Sequence, residues 1–586
     1  MTGSARGGPA LGEFLTALHD RLRPLSREDL VAVLGKHAER LPARERQAFL
    51  DIFRDPTLAP TDPRKSVGVE LEARIESFAA RVAAGEYAED EGYRWDGYGW
   101  EEEETAWAPD ADALFAEVGE VFVGGDLAAA RAAYERLLAP FGLAGDDGGS
   151  LELWQLDSTD VPETLARYVR CVFETTPTAQ RVQAVYQVFR DLAGVRALSL
   201  AEVSTTRVDP LPDLDAFVPG WIDALVAEND VLLLRDRVRL LVEAANLRGG
   251  VHALADVARR PGPHQGGVGL AWIDSLTERG RLVEARAAAE LTLDLPGADG
   301  AHRARAADRL ADLHARAGDT GEAVVARRRA WSLQPTRARL LALAGTSRDA
   351  GVLLETLAAE ADALAPAGRA GRDRLGCELL LLAGRLDEAV AALTGSPPLG
   401  WHRADHPGPV VLPFLWAAAM GTVPPAGSGH LGRLYAGIDV DPAALPEFAG
   451  WPGWDGMPGV MPDPGRLPAV GPSAGPSATG PLLTGLLADA IGRLSPDPGT
   501  REQWLVIAGG VADARIDAIV SGKHRGAYAC AASLAYAHAE ALAGVGRTAH
   551  AHDYLVAVRA RFPRHTAFRG EFDAAATTST LRGKGR

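Results

Sequence analysis

The stretch ADLHARAGDTGEAVVARRRAWSLQP, residues 311–335, decides how this chain folds. Within it, Gly318-Asp319-Thr320-Gly321-Glu322-Ala323 follows one helix-like segment and opens another. Glycine accepts the left-handed backbone that ends a helix, and small alanines let two helical arms approach closely. The same punctuation returns at Gly280-Arg281-Leu282-Val283-Glu284-Ala285, Gly384-Arg385-Leu386-Asp387-Glu388-Ala389 and Gly546-Arg547-Thr548-Ala549-His550-Ala551. From Gly280 to Gly318 is 38 residues and from Gly318 to Gly384 is 66. These are close to one and two periods of a helix-turn-helix repeat of about 34 residues. The turn missing from the series falls near GTSRDAGVLLETLAAEA, 345–361. Residues 112–141 read as a further hairpin, joined at Gly124, Gly125 and Asp126, with Asp126 as the cap of its second helix.

On these residues the chain resembles the tetratricopeptide-repeat (TPR) class. In the opening stretch Gly318 stands before the turn, Ala323 and Ala330 lie in the second helix, and Pro335 closes the unit, while the early Trp of the pattern is absent. The segments ARRRAWSLQPTRARLLALA, GWHRADHPGPVVLPFLWAAA, RIDAIVSGKHRGAYACAASLAYAHAEAL and YLVAVRARFPRHTAFRGEFDA are similar to the helical region that accompanies SWIM zinc fingers in bacterial proteins, and to actinobacterial relatives. The C-x-C and C-x-H ligands of a SWIM finger are missing. The resemblance therefore implies a helical scaffold and a shared type of protein partner. The fold expected is all-α, a TPR-like α-solenoid of helical hairpins with a Gly/Pro-rich linker before the C-terminal helices.

Composition agrees with a folded, helical chain: 586 residues, 47% hydrophobic and 24% charged. A net charge of −17 disfavours non-specific binding to nucleic acid or an anionic membrane. Cys171, Cys377 and Cys530 lie far apart, with no C-x-x-C pair, which fits a reducing cytoplasm. The N-terminus has no apolar signal region, and the longest apolar run, PVVLPFLWAAAM at 409–420, is too short to span a bilayer. A cytoplasmic protein with no membrane contact is expected.

Along the chain, 1–53 reads as an N-terminal helical unit, with Ser26 and Asp29 spaced as a capping box, and 54–66 as a linker. Helical hairpins follow over 67–250, with an acidic-aromatic insert at 89–107, and TPR-like repeats over 251–420. Residues 421–480 read as a Gly/Pro-rich loop or linker, 481–573 as C-terminal helical repeats and 574–586 as a disordered tail.

The insert, EDEGYRWDGYGWEEEETAW, supplies the first candidate surface: Tyr93, Trp95, Tyr98 and Trp100, then Glu101, Glu102, Glu103 and Glu104. Aromatic rings anchor interfaces and acids steer a cationic partner. The same residues also suit a loop pinned by its rings ahead of a helix start. Its acids do not have EF-hand spacing, and a glycosidase pair is defined by distances in space. The second candidate is Lys523, His524 and Arg525 before Tyr528, read as an anion or acidic-peptide site at a helix start, where positive charge opposes the helix dipole. A structural ion-pair cluster is the competing reading. His402 and His406 are four residues apart, as a metal pair on a helix would be, but Gly400 and Pro407 bracket them and favour a turn. Gly471-Pro472-Ser473-Ala474-Gly475 matches a nucleophile elbow only in letters, since its flanks lack strand and helix. His538, His550 and His552 read as packing or surface residues.

No catalytic residue, metal ligand set or cofactor is assigned. The expected function is a non-enzymatic scaffold for a protein or peptide partner. Two alternatives remain: a metal-dependent hydrolase using the acids or histidines, and an accessory factor touching nucleic acid through the basic end RARFPRHTAFRG.

Overall fold

Several helix starts in this chain are capped by short polar side chains. Ser26 and Asp29 exchange backbone N–H bonds at 3.1 and 3.2 Å, as a capping box does. Asp126 accepts the Ala129 N–H at 3.1 Å, Asp160 that of Glu163 at 2.9 Å, and Asp497 those of Gly499 and Thr500. Each satisfies donors that the first helical turn would otherwise leave unpaired. The computed structural model describes residues 64–87, 107–141, 151–193, 197–207, 209–227, 236–364, 373–439 and 482–581, parts of 17–34, and the pairs 94–95 and 100–101.

The described chain is all-α, apart from a two-residue antiparallel pairing of β1 (Arg94–Trp95) with β2 (Trp100–Glu101), in register Trp95 to Trp100. It divides into two compact units at Asp299/Gly300, within the stretch expected to be continuous from 251 to 420.

The first unit holds α1 (Arg64–Ala83), α2 (Ala108–Val123), α3 (Leu127–Leu138), α4 (Val161–Thr175), α5 (Thr178–Leu192), α6 (Leu200–Ser204), α7 (Leu214–Ala227), α8 (Arg237–Gly249), α9 (Val251–Arg259), α10 (Gln265–Glu278) and α11 (Leu282–Asp294). Helix α1 takes in Arg64, Lys65 and Ser66 from the expected linker. Packing runs mostly between sequence neighbours, as hairpins require. Buried rings knit it together: Phe173 and Phe217 meet edge-on at 4.8 Å, and Trp221 meets Phe189 at 5.2 Å. Buried Asp112 on α2 accepts N–H bonds from Asp157, Ser158 and Thr159, tying the loop before α4 to the helix.

The second unit holds α12 (Gly300–Ala317), α13 (Thr320–Leu333), α14 (Arg337–Asp349), α15 (Leu353–Leu364), α16 (Arg374–Leu382), α17 (Leu386–Thr394), α18 (Gly408–Met420), α19 (Gly429–Ala436), α20 (Leu483–Arg493), α21 (Pro498–Ser521), α22 (Tyr528–Gly544), α23 (Thr548–Arg561) and α24 (Thr566–Ala576). Through α17 each helix packs on the next. At α18 the pattern changes. Residues Val410 to Ala419 are all buried, and a helix apolar on every side must lie inside. The run 409–420 is therefore a central core helix, surrounded by α16, α17, α19, α20, α21 and α22. Alanine-rich α22 is buried almost as completely, and the Trp416 Nε1–H donates to His538 Nδ1 at 3.1 Å between the two.

The boundaries of 421–480 and of the tail need correction. Helix α19 and the 3-10 turn Gly437–Asp439 occupy the first part of the expected linker, and 440–481 lies outside the described residues. The chain ends flanking that segment meet: Asp439 Oδ1 accepts the Thr484 N–H at 3.1 Å at the start of α20. Helices from both sides share one hydrophobic core running from Trp331 to Ala575. The described residues on either side of 440–481 thus belong to one body and not to two separate arrays. At the other end, α24 continues to Ala576, and Ser579 and Thr580 hydrogen-bond to Glu540, so the tail is ordered as far as Leu581.

Candidate functional site

The hairpin turns share one backbone geometry. Gly280, Gly318, Gly351, Gly384 and Gly546 have φ between +71° and +84°. At each, the glycine N–H bonds three residues back, as in Gly318 to Ala315 O at 3.1 Å. The following N–H bonds five residues back: Arg281 to Leu276, Asp319 to His314, Val352 to Ser347, Arg385 to Leu380 and Arg547 to Leu542. These paired bonds are the Schellman motif, in which a left-handed residue closes the last helical carbonyls. Gly351 supplies the turn expected within 345–361, so successive turns from Gly280 are 38, 33 and 33 residues apart. Five residues after the glycine stands a fully buried small residue in most turns: Ala285, Ala323 and Ala389 at 0% exposure and Ala551 at 1%. A larger side chain there would hold the second helix away from the first.

Arginine and carboxylate pairs tie successive hairpins. Asp308 on α12 accepts Arg327 from α13 at 3.1 Å and Arg339 from α14 at 2.8 Å. Arg328 reaches Glu360 on α15 at 2.5 Å, and Arg385 reaches Asp362 at 2.6 Å. Much of the arginine-rich sequence from 327 to 339 thus joins helices to one another. In the basic C-terminal stretch, Arg559 pairs with Asp573, and Arg561 with Asp513 and Asp517.

The positions singled out from sequence are described only in part. Trp95, Trp100 and Glu101 lie in the β1–β2 pairing, whereas Tyr93, Tyr98, Glu102, Glu103 and Glu104 lie outside the described residues, as does Gly471–Gly475. Lys523, His524 and Arg525 sit elsewhere than expected. Lys523, at φ +58°, takes the left-handed position that glycine holds in the other turns, with its N–H on Val520 O and that of His524 on Ile519 O. Lys523 and His524 therefore close the C-terminus of α21, where positive charge suits the helix dipole. Arg525 opens the 3-10 turn Arg525–Ala527 before α22.

His406 lies in a turn before α18. Its Nδ1 accepts the Gly408 N–H at 3.0 Å and its Nε2–H donates to Pro397 O at 2.9 Å, so both ring nitrogens are engaged. Burial holds it neutral by pulling its pKa below the usual histidine value. His538 is buried too, and burial lowers it further, to about 4. Cys171 and Cys377 are buried thiols pushed up to about 12, mainly by desolvation, and Cys530 also shifts upward. A thiol held in that form is a poor nucleophile at neutral pH. Among the described residues no group of three His, Cys, Asp or Glu side chains is placed to hold a metal ion. Among them, too, no helix is long and apolar enough to cross a membrane.

No protein-family model matches this chain, and no curated protein matches it.

Two polar sites were missed in the sequence because their members are far apart in it. Buried Glu378 lies between Arg374 Nε at 3.2 Å and Arg337 Nε at 3.5 Å, and both arginines also reach the Ile438 carbonyl beside Asp439. Buried Glu540 gathers the start of α19 and the tail. Single charged residues inside apolar helices, as in CELLLL and YAHAEALA, were the available signals, since a buried charge requires partners.

Proposed function

We propose that this protein is a non-enzymatic helical-repeat scaffold, built of TPR-like helical hairpins, that binds a protein or peptide partner. The observation that carries this reading is the repetition of one Schellman turn at Gly280, Gly318, Gly351 and Gly384, at near-constant spacing. Repetition of a hairpin is how solenoids extend a surface for binding. The resemblance to the helical region found beside SWIM fingers supports the same class of partner. The engaged His406 nitrogens and the shielded thiols give the hydrolase alternative no support. The ion pairs of Arg559 and Arg561 take charge from the basic patch that the nucleic-acid alternative needs.

The test places photo-crosslinking residues at Val283, Val325 and Leu354, which are exposed on the hairpins, and at Val556 as a control. A partner captured at the hairpin positions is then purified, and its affinity is measured for wild type and for Val325→Glu with Leu354→Glu. The expected result is capture at the hairpins and about a tenfold weaker complex for the variant. Capture only at Val556, or equal affinity for both proteins, overturns the hairpin surface as the binding site.

A further inference from the structure

The last described residues of the chain are held as a bound peptide would be. Glu540 on α22 is 7% exposed, and a carboxylate so enclosed needs hydrogen bonds to every face it presents. Oε2 accepts the Leu431 N–H from the first turn of α19 at 2.8 Å. Oε1 accepts the Ser579 hydroxyl at 2.8 Å and the Thr580 N–H at 2.9 Å. Gly429, at φ +62°, stands so close that a β-carbon there would lie 2.4 Å from Oε1. Its missing side chain makes room for the carboxylate.

Beside this carboxylate, His430 Nε2–H donates to Ala575 O at 2.8 Å, and Arg433 donates to His430 Nδ1 at 3.1 Å and to the Thr578 hydroxyl at 3.0 Å. The residues around the contact differ sharply in burial: Thr578 and Thr580 are exposed, and Ser579 alone is inserted, at 7%. The slot therefore reads one hydroxyl and the N–H that follows it. A segment without that hydroxyl leaves a buried acceptor short of a donor, which is the strongest form of hydrogen-bond selectivity.

We propose that the groove between α19 and α22 is a peptide-binding slot, and that residues 577–581 occupy it in cis. A partner segment presenting a Ser or Thr hydroxyl followed by a free backbone N–H is the chemistry that displaces them. Tethering gives the resident segment a high effective concentration, so the slot stays closed to weak competitors. A short segment held by a few hydrogen bonds can open without unfolding the helices around it. The slot lies outside the hairpins turned at Gly280, Gly318, Gly351 and Gly384, so this proposal and the hairpin reading stand or fall separately.

The experiment uses the full chain and a fluorescein-labelled peptide of residues 577–583, read by anisotropy. In Ser579→Asp a second carboxylate faces Glu540 and expels the tail. The peptide should bind this variant, bind wild type about tenfold more weakly or not at all, and lose about tenfold in affinity when Glu540→Gln is added. Absence of binding to a Ser579→Asp protein with wild-type helicity overturns the proposal, as does indifference to Glu540→Gln. Should Ser579→Asp not fold, hydrogen exchange of the wild type decides. Exchange of the Thr580 amide by local opening, faster than the amides of 534–541, supports a displaceable occupant, and exchange only with global unfolding refutes it.

Discussion

His538 shows how a single residue fits both packing and polarity in the core. Its Nδ1 takes the indole N–H of Trp416, its ring meets Tyr554 edge-on at 4.7 Å, and the Tyr554 hydroxyl donates to Asp513 at 2.9 Å. Burial lowers its pKa to about 4, against only a weak opposing pull from Asp513. The unfolded chain, with an ordinary histidine, therefore binds a proton between pH 6.5 and 4 that the folded chain does not. This stabilising contribution is complete above about pH 6.5 and is lost as pH falls toward 4, by up to about 3 kcal/mol. Urea unfolding from pH 7 to pH 4 should show that loss, and His538→Gln should flatten the dependence. An equal slope in the variant would place the titration elsewhere. The sequence reads His538 as a packing or surface residue, and its burial makes it a packing one. Its indole partner was not legible, because Trp416 is 122 positions away.

Within each unit, glycines of two kinds shape the helical hairpins. Gly318 is at φ +82° with open space where a β-carbon would go, so Gly318→Ala should cost only backbone strain, about 1–2 kcal/mol. Gly269 inside α10 has ordinary helical geometry, but a β-carbon there would meet the Thr292 side chain at 2.7 Å. Gly269→Ala should therefore cost about 1–3 kcal/mol by overpacking, offset in part by the better helix propensity of alanine. Adding Thr292→Ser, which removes the methyl carbon, should recover part of the loss in Gly269→Ala and none in Gly318→Ala. Thermal unfolding of the five proteins, wild type included, reads this directly, and rescue of both or of neither would reject the distinction. The turn at Gly318 was legible as a motif. The close approach of α10 to α11 was not, because nothing local marks which helical glycine faces a neighbour.

At the scale of the second unit, the ends of the segment 440–481 are held by contacts of their own. Asp439 bonds Thr484, while Arg337 and Arg374 grip the Ile438 carbonyl around buried Glu378. Joining two fixed ends through many residues costs entropy that grows only with the logarithm of their number, so even a large shortening gains only about 1–2 kcal/mol. Replacing 442–480 by a short Gly/Ser linker should leave the unfolding cooperative and raise stability by about 1–2 kcal/mol. A loss of more than about 2 kcal/mol in chemical denaturation would mean that the replaced residues themselves support the core.

Periodicity, caps and glycine turns are local, and so the helical class, the hairpins and most of the turn positions followed from sequence alone. Lys523 escaped because a non-glycine residue in the left-handed position carries no compositional mark. What tertiary structure decided is which distant residues meet. It made 409–420 a central helix, closed the ends of 440–481 on each other, and placed Ser579 on Glu540. The physical reason is burial: an apolar helix and an enclosed charge each require partners, but neither specifies locally where in the chain those partners lie.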